Sequence, residues 1–219
     1  MRTNMTTTAS AIQTEGHLIR WASHYDLVVD ILAMGQARRL RQRTIELAQL
    51  QPGESVLDVG CGTGAVTIAA QQAVGNDGCA AGVDPAAEMI AVARKKARQS
   101  QRSIHFRLGA IEALPFPDAS FDAVTSSLMM HHLPPNLQRL GLREVLRVLK
   151  PGGRLLVVDV TRPRGALWKK LASHIARRHG YSFGVEDTPA LMMDAGFATA
   201  ELLGDRVLAF GFSRAVKGA

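Results

Sequence analysis

The chain has 219 residues, 47% of them hydrophobic, only two cysteines and a formal charge of +7. That length suits one domain with a single continuous core, and two cysteines do not build a disulfide framework. No uninterrupted apolar run approaches the ~20 residues of a membrane span, and the polar, threonine-rich first fifteen residues lack the apolar stretch of a secretory signal. The expectation is a cytoplasmic protein with two buried thiols, Cys61 and Cys79, and a flexible tail over residues 1–15.

Leu18, Trp21, Tyr25, Val28 and Leu32 recur at helical spacing, so an amphipathic helix precedes the sheet. A second helix is predicted over 37–50, ended by Gln51-Pro52-Gly53 and carrying Arg38, Arg39, Arg41 and Arg43. Strands are predicted near 55–60, 79–84, 103–108, 121–127 and 153–160, and helices near 64–74, 86–100 and 136–149. Such alternation implies a doubly wound α/β fold, a mostly parallel sheet with helices on both faces. Asp187-Thr188-Pro189 reads as an N-cap followed by proline at the first helical position, and Gly196-Phe197 as that helix's end. Two final apolar runs, 199–203 and 207–213, flank Gly204-Asp205 and read as a hairpin.

The most informative stretch is Val56-Leu57-Asp58-Val59-Gly60-Cys61-Gly62-Thr63-Gly64. A short apolar strand breaks into three alternate glycines and runs at once into a helix. The glycines allow positive φ and close approach, so the turn offers bare backbone N–H groups at a helix N-terminus. Twenty residues beyond Gly64 a second apolar run ends in Asp84, a carboxylate able to accept two hydrogen bonds from a ribose diol. Gly60-x-Gly62-x-x-Ala65 also satisfies the dinucleotide fingerprint, which keeps an NAD-dependent dehydrogenase in view. Asp58 weighs against that reading: a carboxylate inside the turn repels a pyrophosphate but can hold a cationic amine. Ligands of open α/β sheets lie outside the carboxyl ends of the strands, here residues 60–64, Asp84, Ala110, Ser126 and Ser127.

VLDVGCGTG, GVDPAAEMI, LPFPDASFDAV and LKPGGRLLVVD stand in this order between about residues 50 and 160. In these motifs the chain resembles the class I S-adenosylmethionine-dependent methyltransferases, in particular the menaquinone and ubiquinone C-methyltransferases. The resemblance implies a Rossmann-like, doubly wound seven-stranded sheet with an antiparallel last strand, plus N-terminal helices. It divides residues 16–219 into N-terminal helices (16–50), a cofactor-binding core (51–160), a short cap insert (161–185), and a C-terminal helix and hairpin (186–219). It also implies S-adenosyl-L-methionine as cofactor and a small organic acceptor, quinone-like or a secondary metabolite, with a non-catalytic cofactor-binding protein of the same fold as the alternative beside the dehydrogenase. The cofactor residues carried over are Tyr25, Asp58, Gly60, Cys61, Gly62, Thr63, Gly64, Asp84, Pro85, Met89, Ala110, Ile111, Ser126 and Ser127. The family's acidic residue after the third strand is missing from Gly109-Ala110-Ile111. There the Ile111 backbone and side chain offer a contact to the adenine, and Glu112 is a substitute carboxylate. Arsenite chemistry, which the family performs with a set of thiols, is not supported by two cysteines.

His131 and His132 follow the fourth strand and are the catalytic candidates, as a general base or as structural groups before Pro134-Pro135. Methyl transfer from a sulfonium depends chiefly on alignment in a dry pocket, so a base is required only when the acceptor atom carries a proton. No metal-ligating set is read, and no motif speaks to oligomeric state. Six basic residues lie between Thr161 and Gly180 with no acidic one. The stretch from Arg164 to His179, with Trp168 at the edge of an apolar stripe, would suit either a peripheral contact with an anionic membrane or a pocket roof. Aromatic residues are only 5% and none interleave with the arginines, so nucleic acid is a poor partner. A solvated helix face is the plainer reading of the Arg38 to Arg43 cluster.

Overall fold

The computed structural model describes residues 34–100, 104–162 and 184–219. The helix expected over Leu18 to Leu32, Tyr25 within it, the tail over 1–15 and the basic segment from Arg164 to His179 lie outside the described residues. The first described helix, α1, spans Ala37–Ala48 and buries Leu40, Thr44 and Ala48, one residue per turn along a single stripe. β1 (Ser55–Val59), α2 (Ala65–Val74), β2 (Cys79–Asp84), α3 (Ala87–Gln99), β3 (His105–Leu108) and β4 (Phe121–Ser127) follow. A single 3-10 turn, Met130–His132, leads to α4 (Pro135–Val148), which opens on proline as its lost N–H requires. Then come β5 (Leu149–Val160), α5 (Thr188–Ala195), β6 (Thr199–Val207) and β7 (Phe210–Val216).

The seven strands lie in the order β3-β2-β1-β4-β5-β7-β6. β1 to β5 pair in parallel, while β7 runs antiparallel to both β5 and β6. Apolar side chains leave each central strand in both directions. Leu57 and Val59 of β1 join the large cluster with Leu142 and Val145 of α4, whereas Val56 packs with Ala70 and Val74 of α2. Strands covered on both faces read as unbroken apolar runs, and four consecutive residues of β1 are buried.

Four details depart from the sequence reading. The strand predicted near 153–160 begins at Leu149, and Pro151-Gly152-Gly153 is an irregularity inside β5, where the register with β4 jumps from Phe121↔Leu149 to Ala123↔Arg154 and Gly152 takes φ +72°. The last hairpin does not turn at Gly204-Asp205. β6 continues through them across a register shift between Leu202 and Arg206, and the chain reverses beyond Val207, with Leu208 at φ +55°. Asp187 makes no side-chain cap on α5; its carboxylate pairs with Arg162, and the Thr188 hydroxyl donates to Val185 O at 2.6 Å. Cys79, expected to be buried, is exposed.

Candidate functional site

The order of the sheet reverses between β1 and β4, the topological switch at which α/β sheets open a crevice beyond their carboxyl ends. The β1 turn sits there. Gly60, Gly62 and Gly64 all adopt positive φ (+71°, +51° and +80°). Two of them also answer to the protein's own packing. A Cβ on Gly60 would lie 2.4 Å from Met129 Cγ, and one on Gly64 would lie 2.8 Å from Phe106 Cζ. The turn is fastened to β2 by Gly60 and Cys61 N–H groups that both donate to Val83 O, and Thr63 accepts from Lys96 Nζ at 2.9 Å. Cys61 lines the cleft as a buried thiol, which burial keeps protonated.

Two carboxylates support this turn. Asp84, 8% exposed, accepts the Gly62 N–H and the Ala86 N–H, each at 2.9 Å and one on each oxygen. A carboxylate oxygen has two lone pairs, so both oxygens can take one further donor. Asp58 is deeper, 2% exposed, and accepts the Thr67 hydroxyl at 2.7 Å and the Thr125 hydroxyl at 2.9 Å. Burial pushes its carboxyl up to about 6, against the pull of those hydroxyls and with help from the Asp84 charge. Burial raises Asp84 as well. The structure thus concentrates negative charge under a turn rich in N–H donors, a setting matched to a ligand carrying hydroxyls and a cation.

Pro85 is half-buried beside Asp84, and Met89 is 2% exposed in a small apolar cluster with Ala86 and Val92. Ala110 closes a tight bridge to Ala113. The apolar face expected from Ile111 is not available: its side chain is 6% exposed and packs in the core against Gly141, where a Cβ would meet it at 2.6 Å. Glu112, next along, has a buried Oε2 with no hydrogen-bond partner. This loop is held by Arg147, which donates to Leu114 O and Phe116 O and pairs with Glu144 and Asp118.

On the β4 side, Ser126 is 2% exposed with an unpartnered Oγ, and Ser127 and Leu128 line the cleft facing residues 60–63. His131 Nδ1 lies 2.5 Å from Asp159 Oδ1 at the end of β5, and the other oxygen of Asp159 accepts the His131 N–H at 3.0 Å. The His132 ring lies against that of His131, centroids 3.9 Å apart and planes tilted by 40°. Sequence reasoning found both histidines but not Asp159, which reads as one more strand residue in LLVVDV. It also missed Arg41 of α1, which lines the cleft with Ala37 and Leu40. Tyr25 lies outside the described residues.

A protein-family model described as "Methyltransferase domain" matches residues 56–153. A demethylmenaquinone methyltransferase of Shouchella clausii is 35% identical over 148 residues, 67% of this chain and 62% of that protein. A ubiquinone/menaquinone biosynthesis C-methyltransferase of Geobacter sulfurreducens is 35% identical over 154 residues, 69% of this chain and 59% of its own. The chain therefore spans about 60% of the length of these relatives. An S-adenosylmethionine-dependent methyltransferase of Aquifex aeolicus superposes with TM-score 0.69 at 19% identity, covering 87% of this chain and 97% of that one, a likeness of fold alone. None of these matches supports the dinucleotide reading. Motifs, strand order and relatives agree: the chain belongs to the class I S-adenosylmethionine-dependent methyltransferases.

Proposed function

We propose that this protein transfers the methyl group of S-adenosylmethionine to a small, apolar, quinone-like acceptor. The observation that carries the reading is the glycine turn at the topological switch, set over two buried carboxylates, Asp58 and Asp84. The group fits the residues present. Asp84 retains a lone pair on each oxygen for the ribose diol, and Asp58 offers negative charge to the amine of the methionine. The buried, unpartnered Oε2 of Glu112 supports this residue as the proposed acceptor for the adenine amine. S-adenosylmethionine supplies a methyl activated by its sulfonium. The protein's part is to hold the ligand on the N–H groups of residues 60–64 and to exclude water.

Where the acceptor carries a proton on its reacting atom, the His131–Asp159 pair is suited to take it. Asp159 beside Nδ1 orients the imidazole ring for that role. The quinone-like acceptor is suggested by the names of the relatives. Calorimetric titration with S-adenosylhomocysteine and with NAD, followed by a labelled-methyl assay against demethylated quinols, tests the proposal. Binding of NAD in preference to S-adenosylhomocysteine would refute it.

We also propose that the basic stretch from Arg164 to His179 meets an anionic membrane, which would bring the protein to a lipid-soluble acceptor. The support is its sequence, since it lies outside the described residues, among which no helix is long and apolar enough to cross a membrane. The protein should sediment with anionic liposomes at low salt and be released as salt rises, each basic residue contributing roughly 1 kcal/mol. Absence of sedimentation at low salt would leave a water-soluble acceptor.

A further inference from the structure

At the end of the sheet where the crevice opens, two large apolar side chains face solvent. Met34, just before α1, is 76% exposed, and Leu208, in the β6–β7 turn, is 43% exposed. Both hold positive φ, +48° and +55°, a costly conformation for a residue with a Cβ. The fold brings them to the same end. Ala37 lines the crevice, and α1 runs from there to Ala48, whose carbonyl accepts from Arg154 at the opposite end of the sheet. β6 returns beside it, with Arg39 and Arg43 of α1 facing Asp205 and Arg206 across a groove. The turn is fixed there by Thr161, whose N–H donates to Ala209 O at 2.7 Å as the chain leaves β5.

The charge around these two side chains is positive in excess. Arg43 pairs with Glu46 and Asp205, Arg162 with Asp187, and Arg206 with Glu186 at 3.6 Å. Those four acids are thereby engaged. Arg38 and Arg39 are exposed and make no ion pair with the described residues, and Arg39 donates only to Gln36 Oε1 at 3.3 Å. A protein partner of ordinary interface size would cover about 800 Å² around a continuous apolar centre. No such centre exists here, because Leu40, Val207 and Phe210 are buried in the core beneath. What remains is two separate apolar tips with free guanidinium groups at their base. That combination suits the boundary of a lipid bilayer, where apolar side chains enter below the headgroups and cations meet phosphate.

We infer that this rim is a docking surface for an anionic phospholipid bilayer, with Met34 and Leu208 inserted and Arg38 and Arg39 on the lipid phosphates. The surface is separate from the basic stretch between Arg164 and His179, and it turns the mouth of the crevice toward the bilayer. The docking itself does not depend on the proposed reaction. Its use, delivery of an apolar acceptor straight from the lipid, rests on the proposed function.

The test is sedimentation of the full chain with vesicles of mixed phosphatidylglycerol and phosphatidylcholine, and with vesicles of phosphatidylcholine alone. The parent should favour the mixed vesicles at low salt. Met34→Ser combined with Leu208→Ser should lower partition onto them roughly tenfold. Arg38→Gln combined with Arg39→Gln should lower it by about the same factor at low salt and much less at high salt. Both double variants should bind S-adenosylhomocysteine as the parent does, which also shows that they are folded. Partition equal to the parent's in either double variant overturns the inference and leaves any membrane contact to the stretch between Arg164 and His179. A parent that ignores the mixed vesicles overturns both contacts. Neither result touches the proposed cofactor, which fails only if the parent does not bind S-adenosylhomocysteine.

Discussion

The two walls of the crevice are built on different principles. The wall made by the ends of β1 and β2 relies on backbone: three glycines at positive φ, N–H groups donating to Val83 O, and Asp84 bonded to two further N–H groups. The wall made by the ends of β4 and β5 relies on side chains, with His131 held by Asp159 and Ser126 left without a partner. A backbone wall can be shared by every protein that binds one cofactor. A side-chain wall can be remade for a second ligand without disturbing the first.

The walls touch where Met129 lies against Gly60, so the largest effect is expected there. Gly60→Val adds both a clash with Met129 and strain at φ +71° and should destabilise the protein by about 4 kcal/mol, read from urea unfolding. A change under 1 kcal/mol would mean that the walls move independently.

Asp58 comes next and belongs to the backbone wall. Its folded-state pKa of about 6 lies above the unfolded value, so its contribution to stability is full below the ordinary carboxylate range and is lost as pH rises through about 6. Asp58→Asn should therefore gain on the parent by about 3 kcal/mol between pH 4 and pH 7 in paired unfolding curves. The parent's affinity for S-adenosylhomocysteine should rise over the same interval and the variant's should not. Parallel stability curves would show that Asp58 titrates normally.

With Asp84 as the proposed acceptor of the ribose diol, Asp84→Ala should weaken S-adenosylhomocysteine by about 2 kcal/mol in calorimetry. Some loss of thermal stability should accompany it, because the buried Gly62 and Ala86 N–H groups lose their acceptor. The smallest effect is expected in the other wall. Asp159→Asn should lower turnover about tenfold with a proton-bearing acceptor and leave S-adenosylhomocysteine affinity within twofold. A matching loss of affinity would place Asp159 in the cofactor wall instead.

The same division explains what could be read from the sequence. The strand-turn-helix at residues 55–74 and the strand ending in Asp84 are local patterns, and the structure has them where the residues predict. The pairing of His131 with Asp159 joins positions 28 apart through the register of β4 and β5, which no local pattern encodes. Arg41 looked like part of a solvated basic face, because only the packing of α1 shows which arginine turns toward the cleft. Ile111 was misjudged for the same reason, its neighbour Gly141 lying 30 residues away on α4. The hairpin was misplaced because Gly204-Asp205, good turn residues, are absorbed by an irregularity in β6.

The β1–β2 wall is the proposed seat of S-adenosylmethionine. A crystal structure of the complex with S-adenosylhomocysteine tests it most directly. The ribose diol should lie within hydrogen-bond distance of Asp84 and the amino-acid end against residues 60–64, beside Asp58. A nucleoside bound elsewhere, or reversed so that the adenine occupies the glycine turn, would contradict it.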